Sequence, residues 1–412
     1  MKENIKKNLL FTILVFLSLT IHAQKYQGSI VDAESQQSLP FATIYVDADH
    51  KALANANGEF SIETSATGHA KISCVGYQEA LVPVSSLNSI IKLKPYTINL
   101  KEVTAYPIDA IINKIINKLL AETIQHKEQM SNFFFRQSTF NDKVCNEFIE
   151  SCFCAKSEIS LRGLSLITGR YAALPSTESN RYSYCTNFFS LSQLGILSRK
   201  VVKNMPIPIL TKDYKKYYHV DYTVIQNQQH YIYIISFKAK KGIHRSILEG
   251  NLYVDSESLD VLKFAGHLSH STLSPSKHEK LPLNLSITTL YTSQRGFTEV
   301  ESEDINGSYH YLGKQIRINM LVFNMGENKF KGKKHIKYNY NLKEIIAKQK
   351  YNPQFWKMNF GIKRTKLERQ VIELFENKNV FTSKILDTCQ TKSQVFQAFR
   401  NRCFTRIEAM PH

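Results

Sequence analysis

Tryptophan is almost missing from this chain, at one residue in 412, and Gly (16) and Pro (11) are scarce. That excludes a collagen-like repeat and a low-complexity linker protein. Acidic residues are short as well, 35 Asp plus Glu against 53 Lys plus Arg, a formal net charge of +18. Such an excess draws a protein toward anionic partners. The seven cysteines (Cys74, Cys145, Cys152, Cys154, Cys185, Cys389 and Cys403) are odd in number and too sparse for a disulfide scaffold. On a strand, Cys152 and Cys154 would share a face, which disfavours a local bridge. Structural thiols are expected, with Cys389–Cys403 left open as a long-range pair.

Catalytic signatures are missing too. None of the 13 histidines is followed three residues later by Glu, the pairing that gives zinc peptidases two metal ligands. There is no Gly-x-Ser-x-Gly elbow, phosphate loop or dinucleotide fingerprint. The nearest pattern, His267-x-x-His270, lies in a β-rich stretch and reads as a structural or solvent-exposed pair. The expectation is no catalytic residue, no metal site and no cofactor.

What is present is apolar and aromatic. A hydrophobic fraction of 43%, with 24 Phe and 21 Tyr, excludes global disorder and leans the chain toward a mainly β fold with helices. The first 23 residues read as a signal peptide. Lys2, Lys6 and Lys7 form a basic start, Leu9 to Ile21 an apolar run, and Ile21-His22-Ala23 a cleavage site before Gln24. The run is well short of the ~20 residues that span a bilayer. No second long apolar run follows, so no transmembrane helix is expected. The chain is expected to be exported, to the periplasm or the outer-membrane periphery, where nucleic acid is not a partner.

Residues 24–104 read as short strands with turn punctuation. Ser29–Val31, Phe41–Val46, Glu59–Ile62, Lys71–Val75 and Ser89–Leu93 alternate apolar and polar, and Asn55-Ala56-Asn57-Gly58 supplies the positive φ of a tight hairpin. The spacing implies a small β-sandwich. Gly28-x-Ile30-x-Asp32, Leu39-Pro40-x-Ala42-x-Ile44-x-Val46, Asn57-Gly58-Glu59-Phe60, Gly76-Tyr77 and Leu100-x-Glu102-Val103 resemble the carboxypeptidase regulatory-like domain. Asn55-Ala56 stands where that family usually has Thr-Asp. The resemblance implies a transthyretin-like sandwich, of a kind placed at the N-terminus of Bacteroidetes envelope proteins, and implies no peptidase activity.

Residues 105–340 read as a helix followed by a larger curved antiparallel sheet. Pro107 opens the helix, and Ile108, Ile111, Ile112, Ile115, Ile116, Leu119 and Leu120 form its stripe. Phe133-Phe134-Phe135 begins the sheet, Tyr231 to Phe237 is an aromatic strand, and Gly250–Asp255 and Asp260–Phe264 flank a four-residue turn. Leu285 to Tyr291 and Ile316 to Phe323 continue the strands. The helix and hairpin are similar to the curved sheets of LolA-like lipoprotein carriers. A membrane barrel needs many strands of ~10 residues, and the last stretch reads as helical instead, so no barrel is expected.

Residues 341–412 read as a basic helical tail. From Lys331 to His412 there are 18 basic and 6 acidic residues. Leu367, Val371, Leu374 and Phe375 form one apolar face, and Val395, Phe396, Phe399 and Cys403 another. Lys331, Lys333, Lys334 and Lys337, kept loop-like by Gly332, are the candidate anionic-surface contact, while Asn57 and Gly58 are a structural turn. The functional expectation is a non-catalytic envelope protein that binds or scaffolds a lipid, lipopolysaccharide, glycan or outer-membrane protein through the sheet, with the sandwich as docking module and peripheral membrane contact. The alternative is an envelope hydrolase, or an enzyme related to metallocarboxypeptidases.

Overall fold

The computed structural model describes residues 23–47, 49–96, 107–156, 158–174, 192–203, 205–227, 230–273, 280–311, 313–327, 334–335, 342–347, 351–357 and 361–381. They form two compact units: one up to Pro95 that also takes in Met358–Thr365, the other comprising Tyr96–Lys357 and the chain from Lys366 on. The signal-peptide stretch up to residue 22, Cys185, Cys389, Cys403 and the stripe Val395–Cys403 lie outside the described residues.

Among the described residues, the first unit holds seven strands in two sheets. β1 (Gln24–Asp32) lies between β4 (Glu59–Thr64) and β7 (Ile90–Leu93). β3 (Lys51–Leu53), β2 (Thr43–Tyr45), β5 (His69–Ser73) and β6 (Ala80–Pro83) pair in that order. Ile30, Phe60 and Ile62 from one sheet and Ile44, Ala70 and Ile72 from the other share a single core. This is the mainly β sandwich that the spacing implied. The short strand β6 went unread because its apolar residues end in Pro83, a residue confined to edge strands.

The turn before β4 is not a hairpin. β3 pairs with β2 and β4 with β1, so Asn55–Gly58 carries the chain from one sheet to the other. Asn55 holds it: its Oδ1 accepts from the amides of Asn57 (2.9 Å) and Glu59 (3.0 Å). Gly58 has φ +73°, and a Cβ there would lie 2.7 Å from the Ile30 carbonyl oxygen. The same turn receives Ile30, whose amide donates to the Gly58 carbonyl at 2.8 Å. A later stretch of chain extends the second sheet. The Leu53 amide donates to the Gly361 carbonyl at 2.7 Å, with Leu53 and Ile362 bridged in parallel.

The second unit is built on eleven antiparallel strands among the described residues. At one end lie β11 (Tyr218–Asn227), β12 (His230–Ala239), β13 (Ile247–Asp255) and β14 (Val261–Ser269). β17 (Asn284–Thr292), β18 (Glu299–Tyr311) and β19 (Lys314–Glu327) continue the order. β8 (Met130–Asn141), β9 (Val144–Lys156), β10 (Arg162–Ala173) and the two-residue β20 (Lys334–His335) complete it. β15 (Thr272–Leu273) and β16 (Leu281–Pro282) form a separate small pair.

Residues opposite one another in antiparallel register share a face. On one face, Leu252, Phe264, Val322 and Phe135 meet helix α1 (Ile108–Gln125), which buries Ile111, Ile112, Ile115, Ile116 and Leu119. Each fully buried side chain of this kind stabilises by about 1.5–3 kcal/mol. Ile196, Leu197, Ile207, Ile209 and Leu210, from an irregular segment with no periodicity to announce it, join the same core. The short helix α2 (Tyr214–Tyr217) leads from that segment into β11. Among the described residues, no helix is long and apolar enough to cross a membrane.

Among the described residues, the opposite face is covered only over β8–β10. Helix α3 (Leu342–Ala347) buries Leu342, Ile345 and Ile346 in the main core; the cover of the opposite face comes after it, from Trp356, which is buried, and helix α4 (Lys366–Asn377). Val371, Ile372 and Phe375 of α4 pack with Phe140, Phe148, Ala172 and Phe381. Arg136, Glu150 and Arg170 stand side by side on neighbouring strands beneath them. Glu150 Oε1 accepts from Arg136 Nε at 2.9 Å and its Oε2 from Arg170 Nε at 2.7 Å. The two guanidinium groups then reach Glu368 (2.9 Å) and Glu376 (3.1 Å) of α4. Those pairings fix the helix's inward face, so Leu367 and Leu374, expected in the buried stripe, are 52% and 41% exposed.

Two outcomes are expected. Gly58→Val forces a β-branched residue to positive φ and sets its Cβ against the Ile30 carbonyl, so thermal melting of the first unit should fall by several degrees. Glu150→Ala leaves two buried guanidinium groups without their shared carboxylate, and should cost about 3–5 kcal/mol in denaturant unfolding.

Candidate functional site

Between β13 and β19 the outer face is uncovered among the described residues, and it carries a groove of about 1000 Å³. Register alone assembles it. Glu249, His267, Ser286, Asn306 and Asn319 are successive cross-strand partners on five strands. One step along lie Asn284, Ser308 and Arg317, again in register. The small pair β15–β16 closes one end through Thr272 and Pro282.

Two glycines bring the rim together. Gly250 and Gly266 face each other on β13 and β14, and Gly250 has φ +147°. A Cβ on Gly250 would lie 2.3 Å from the Ala265 carbonyl oxygen, and one on Gly266 2.0 Å from that of Glu249. Only glycine permits this approach, which sets Glu249 beside His267, with His267 Nε2 3.6 Å from Glu249 Oε2. Glu249 is anchored further by the Ala239 amide (2.7 Å) and the Ser269 hydroxyl. Burial works against its charge, but the Ser269 and Ala239 hydrogen bonds and the nearby His267 and His270 outweigh it and hold the carboxyl below its ordinary range.

The groove floor is chemically simple. Asn284, Ser308 and Asn319 line it with polar side chains that make no hydrogen bond within the described residues. Arg317 supplies the cation, its guanidinium donating to the Asp142 carbonyl at 3.0 Å and lying 5.4 Å from the Phe140 ring. Asn306 is already engaged, donating to Asp304 at 2.6 Å. Such a surface offers amide and hydroxyl donors and acceptors with one charge of each sign at its margins. Among the described residues, no three His, Cys, Asp or Glu side chains gather closely enough to hold a metal ion.

The residues singled out from sequence divide between the groove and other places. His267 and His270 both line the groove, as rim residues beside Glu249. Asn57 and Gly58 form the sheet-to-sheet turn in the first unit. Of the basic run, Lys331, Lys333 and Lys337 lie outside the described residues; Lys334 belongs to a strand rather than a loop, paired with Leu166 of β10. The groove residues went unread because, in sequence, they are only the polar alternates of exposed strands. The one advance signal was the paired glycines inside otherwise strong strand patterns.

Beside the groove, β18 places two carboxyls on opposite faces. Glu303 points to the apolar core, where burial holds its carboxyl well above the usual range, and its Oε2 has no hydrogen-bond partner among the described residues. Asp304, on the groove side, is pushed up to about 6 by burial, which its bond from Asn306 only partly offsets. Unfolded, Asp304 titrates near 3.8, so between pH 4 and 6 the folded chain holds the extra proton and stability falls as pH rises through that window. Glu303 acts in the same sense. Asp304→Asn should therefore flatten part of the fall and raise stability at neutral pH, on the order of 2 kcal/mol. Denaturant midpoints taken across this range check it.

Comparison with known proteins places one part of the chain. No curated protein matches it. A solved LolA superfamily protein from Nitrosomonas europaea is similar at 9% identity, over 51% of this chain and 92% of that chain, with a TM-score of 0.21. Residues 26–105 match the family model of the CarboxypepD_reg-like domain, so the sandwich, and not the larger sheet, is placed in that family.

Proposed function

We propose that this chain is a non-catalytic, exported cell-envelope protein that binds a hydroxyl-rich envelope component, a glycan, in the outer-face groove of its large sheet. The observation that carries this reading is the set of unengaged Asn284, Ser308 and Asn319 side chains beside Arg317. Planar amides and hydroxyls held at cross-strand spacing suit a ligand that both donates and accepts at short intervals, as vicinal hydroxyls do. An acyl chain would leave all of these groups without partners, at a cost of about 1–3 kcal/mol each. The face that would suit an acyl chain carries the chain's own Phe133, Phe135, Leu252 and Phe264 under α1. In this reading the CarboxypepD_reg-like sandwich is a docking module, and the basic excess keeps the protein near anionic envelope surfaces.

Isothermal titration of the full chain with solubilised envelope polysaccharide tests it. The paired change Asn284→Ala and Asn319→Ala should weaken binding roughly 10- to 100-fold, since each hydrogen bond removed is worth about 0.5–1.5 kcal/mol. Undiminished polysaccharide binding by that variant, or no polysaccharide binding by the wild type, contradicts the assignment.

A further inference from the structure

A second feature of the large unit adjoins the groove rim, where the Ala239 amide meets Glu249, and is made of residues other than the groove lining and the basic run at 331–337. Two stretches distant in sequence meet at one end of the sheet. The first, residues 199–217, contributes Arg199, Lys200, Lys203, Lys212, Lys215 and Lys216 against the single acid Asp213. The second, residues 238–246, contributes Lys238, Lys240, Lys241 and Arg245 with no acid. Ten basic side chains against one acidic give +9 within 28 residues, half of the chain's formal +18.

The two stretches are joined by backbone-directed bonds rather than by opposite charges. The Arg245 guanidinium donates to the carbonyls of Val202 (2.7 Å) and Met205 (2.8 Å). The Lys240 amide donates to the Tyr217 carbonyl (2.8 Å) and its ammonium to that of Lys215. The Ile207 amide donates to the Ser246 carbonyl (2.9 Å), and the Leu248 amide to that of Ile207 (3.0 Å). Beneath them, Ile207, Ile209, Leu210 and Ile247 are fully buried, so the platform is fixed to the core. Among the described residues, only two of the lysines are neutralised: Lys215 by Asp109 at 2.6 Å and Lys216 by Asp213 at 3.0 Å. Arg199, Lys200, Lys203, Lys212, Lys238 and Lys241 are exposed and make no ion pair within the described residues.

We infer that this end of the sheet docks the protein on an anionic lipid surface. Like charges gathered on a rigid platform repel one another, and an anionic partner relieves that repulsion. Arg199, Lys200, Lys203, Lys212, Lys238 and Lys241 all stand in solvent, so among the described residues they offer no enclosed pocket for a compact ligand. Most are lysines, point charges that suit mobile headgroups able to gather beneath them, rather than the bidentate fork by which arginine recognises one phosphate. The inference does not depend on what the groove binds.

The test is co-sedimentation of the full chain with vesicles of phosphatidylglycerol in phosphatidylcholine, and with phosphatidylcholine alone. Three proteins are compared: wild type; a platform variant carrying Lys200→Gln, Lys203→Gln, Lys212→Gln and Lys241→Gln; and a second variant carrying Lys331→Gln, Lys333→Gln, Lys334→Gln and Lys337→Gln. All four platform positions are exposed, so the variant should keep the wild-type melting temperature. The expected result is wild-type binding to phosphatidylglycerol vesicles that weakens as salt shortens the Debye length. The platform variant should partition on the order of 1000-fold less well at low salt, as removing four positive charges from beside a charged membrane implies. Equal binding by wild type and platform variant, a loss confined to the second variant, or capture by a soluble polyanion without vesicle binding would overturn the inference.

Discussion

A β-strand has two faces, and the large sheet can give only one of them to its main core. That constraint decides the rest of the second unit. One face of the sheet receives α1 and the irregular segment around Ile207–Leu210, and becomes a continuous apolar core. The other face must either find a second cover or stay polar, and it does both in different places. Over β8–β10 the cover is α4 with Trp356 and Phe381; from β13 to β19 the described residues leave the face open and polar.

The covered part needs ions to work. Arg136, Glu150 and Arg170 stand in one cross-strand row, where burial alone would make each charge costly; Glu150 serves both guanidinium groups, and α4 supplies Glu368 and Glu376. Arg170 also lies 5.0 Å from the Trp356 ring and 4.4 Å from that of Phe381, so its charge has aromatic faces as well as carboxylates around it. A row of this kind specifies the rotation of α4, which is why two of its leucines face outward. On the uncovered part, the same cross-strand register that aligned the ions aligns amides and hydroxyls into a groove.

Much of the architecture was legible in the sequence, because it rests on local periodicity. The stripe Ile108–Leu120, the turn residues Asn57-Gly58 and the hairpin around Asp255–Asp260 each carry their own signal within a few residues. What was not legible depends on register between strands far apart in sequence. Asn284, Ser308 and Arg317 become neighbours only when β17, β18 and β19 pair. Arg136 and Glu150 did leave a trace, as charges set directly after the apolar runs Phe133-Phe134-Phe135 and Phe148-Ile149. The telling residues are Phe134 and Phe148, which share a face with those charges and need that face covered as well. The platform of lysines is hidden for the same reason, since the two stretches carry +5 and +4 and reach +9 only where the fold brings them together.

The central claim is that ligand binding belongs to the open, polar face of the sheet and not to the apolar face beneath α1. Hydrogen–deuterium exchange of the full chain, with and without solubilised envelope polysaccharide, tests this most directly. The account predicts added protection in β14, β17, β18 and β19 around His267, Ser286, Asn306 and Asn319, with α1 unchanged. Protection concentrated in α1 and the segment around Ile207–Leu210, with the groove strands unaffected, would contradict it.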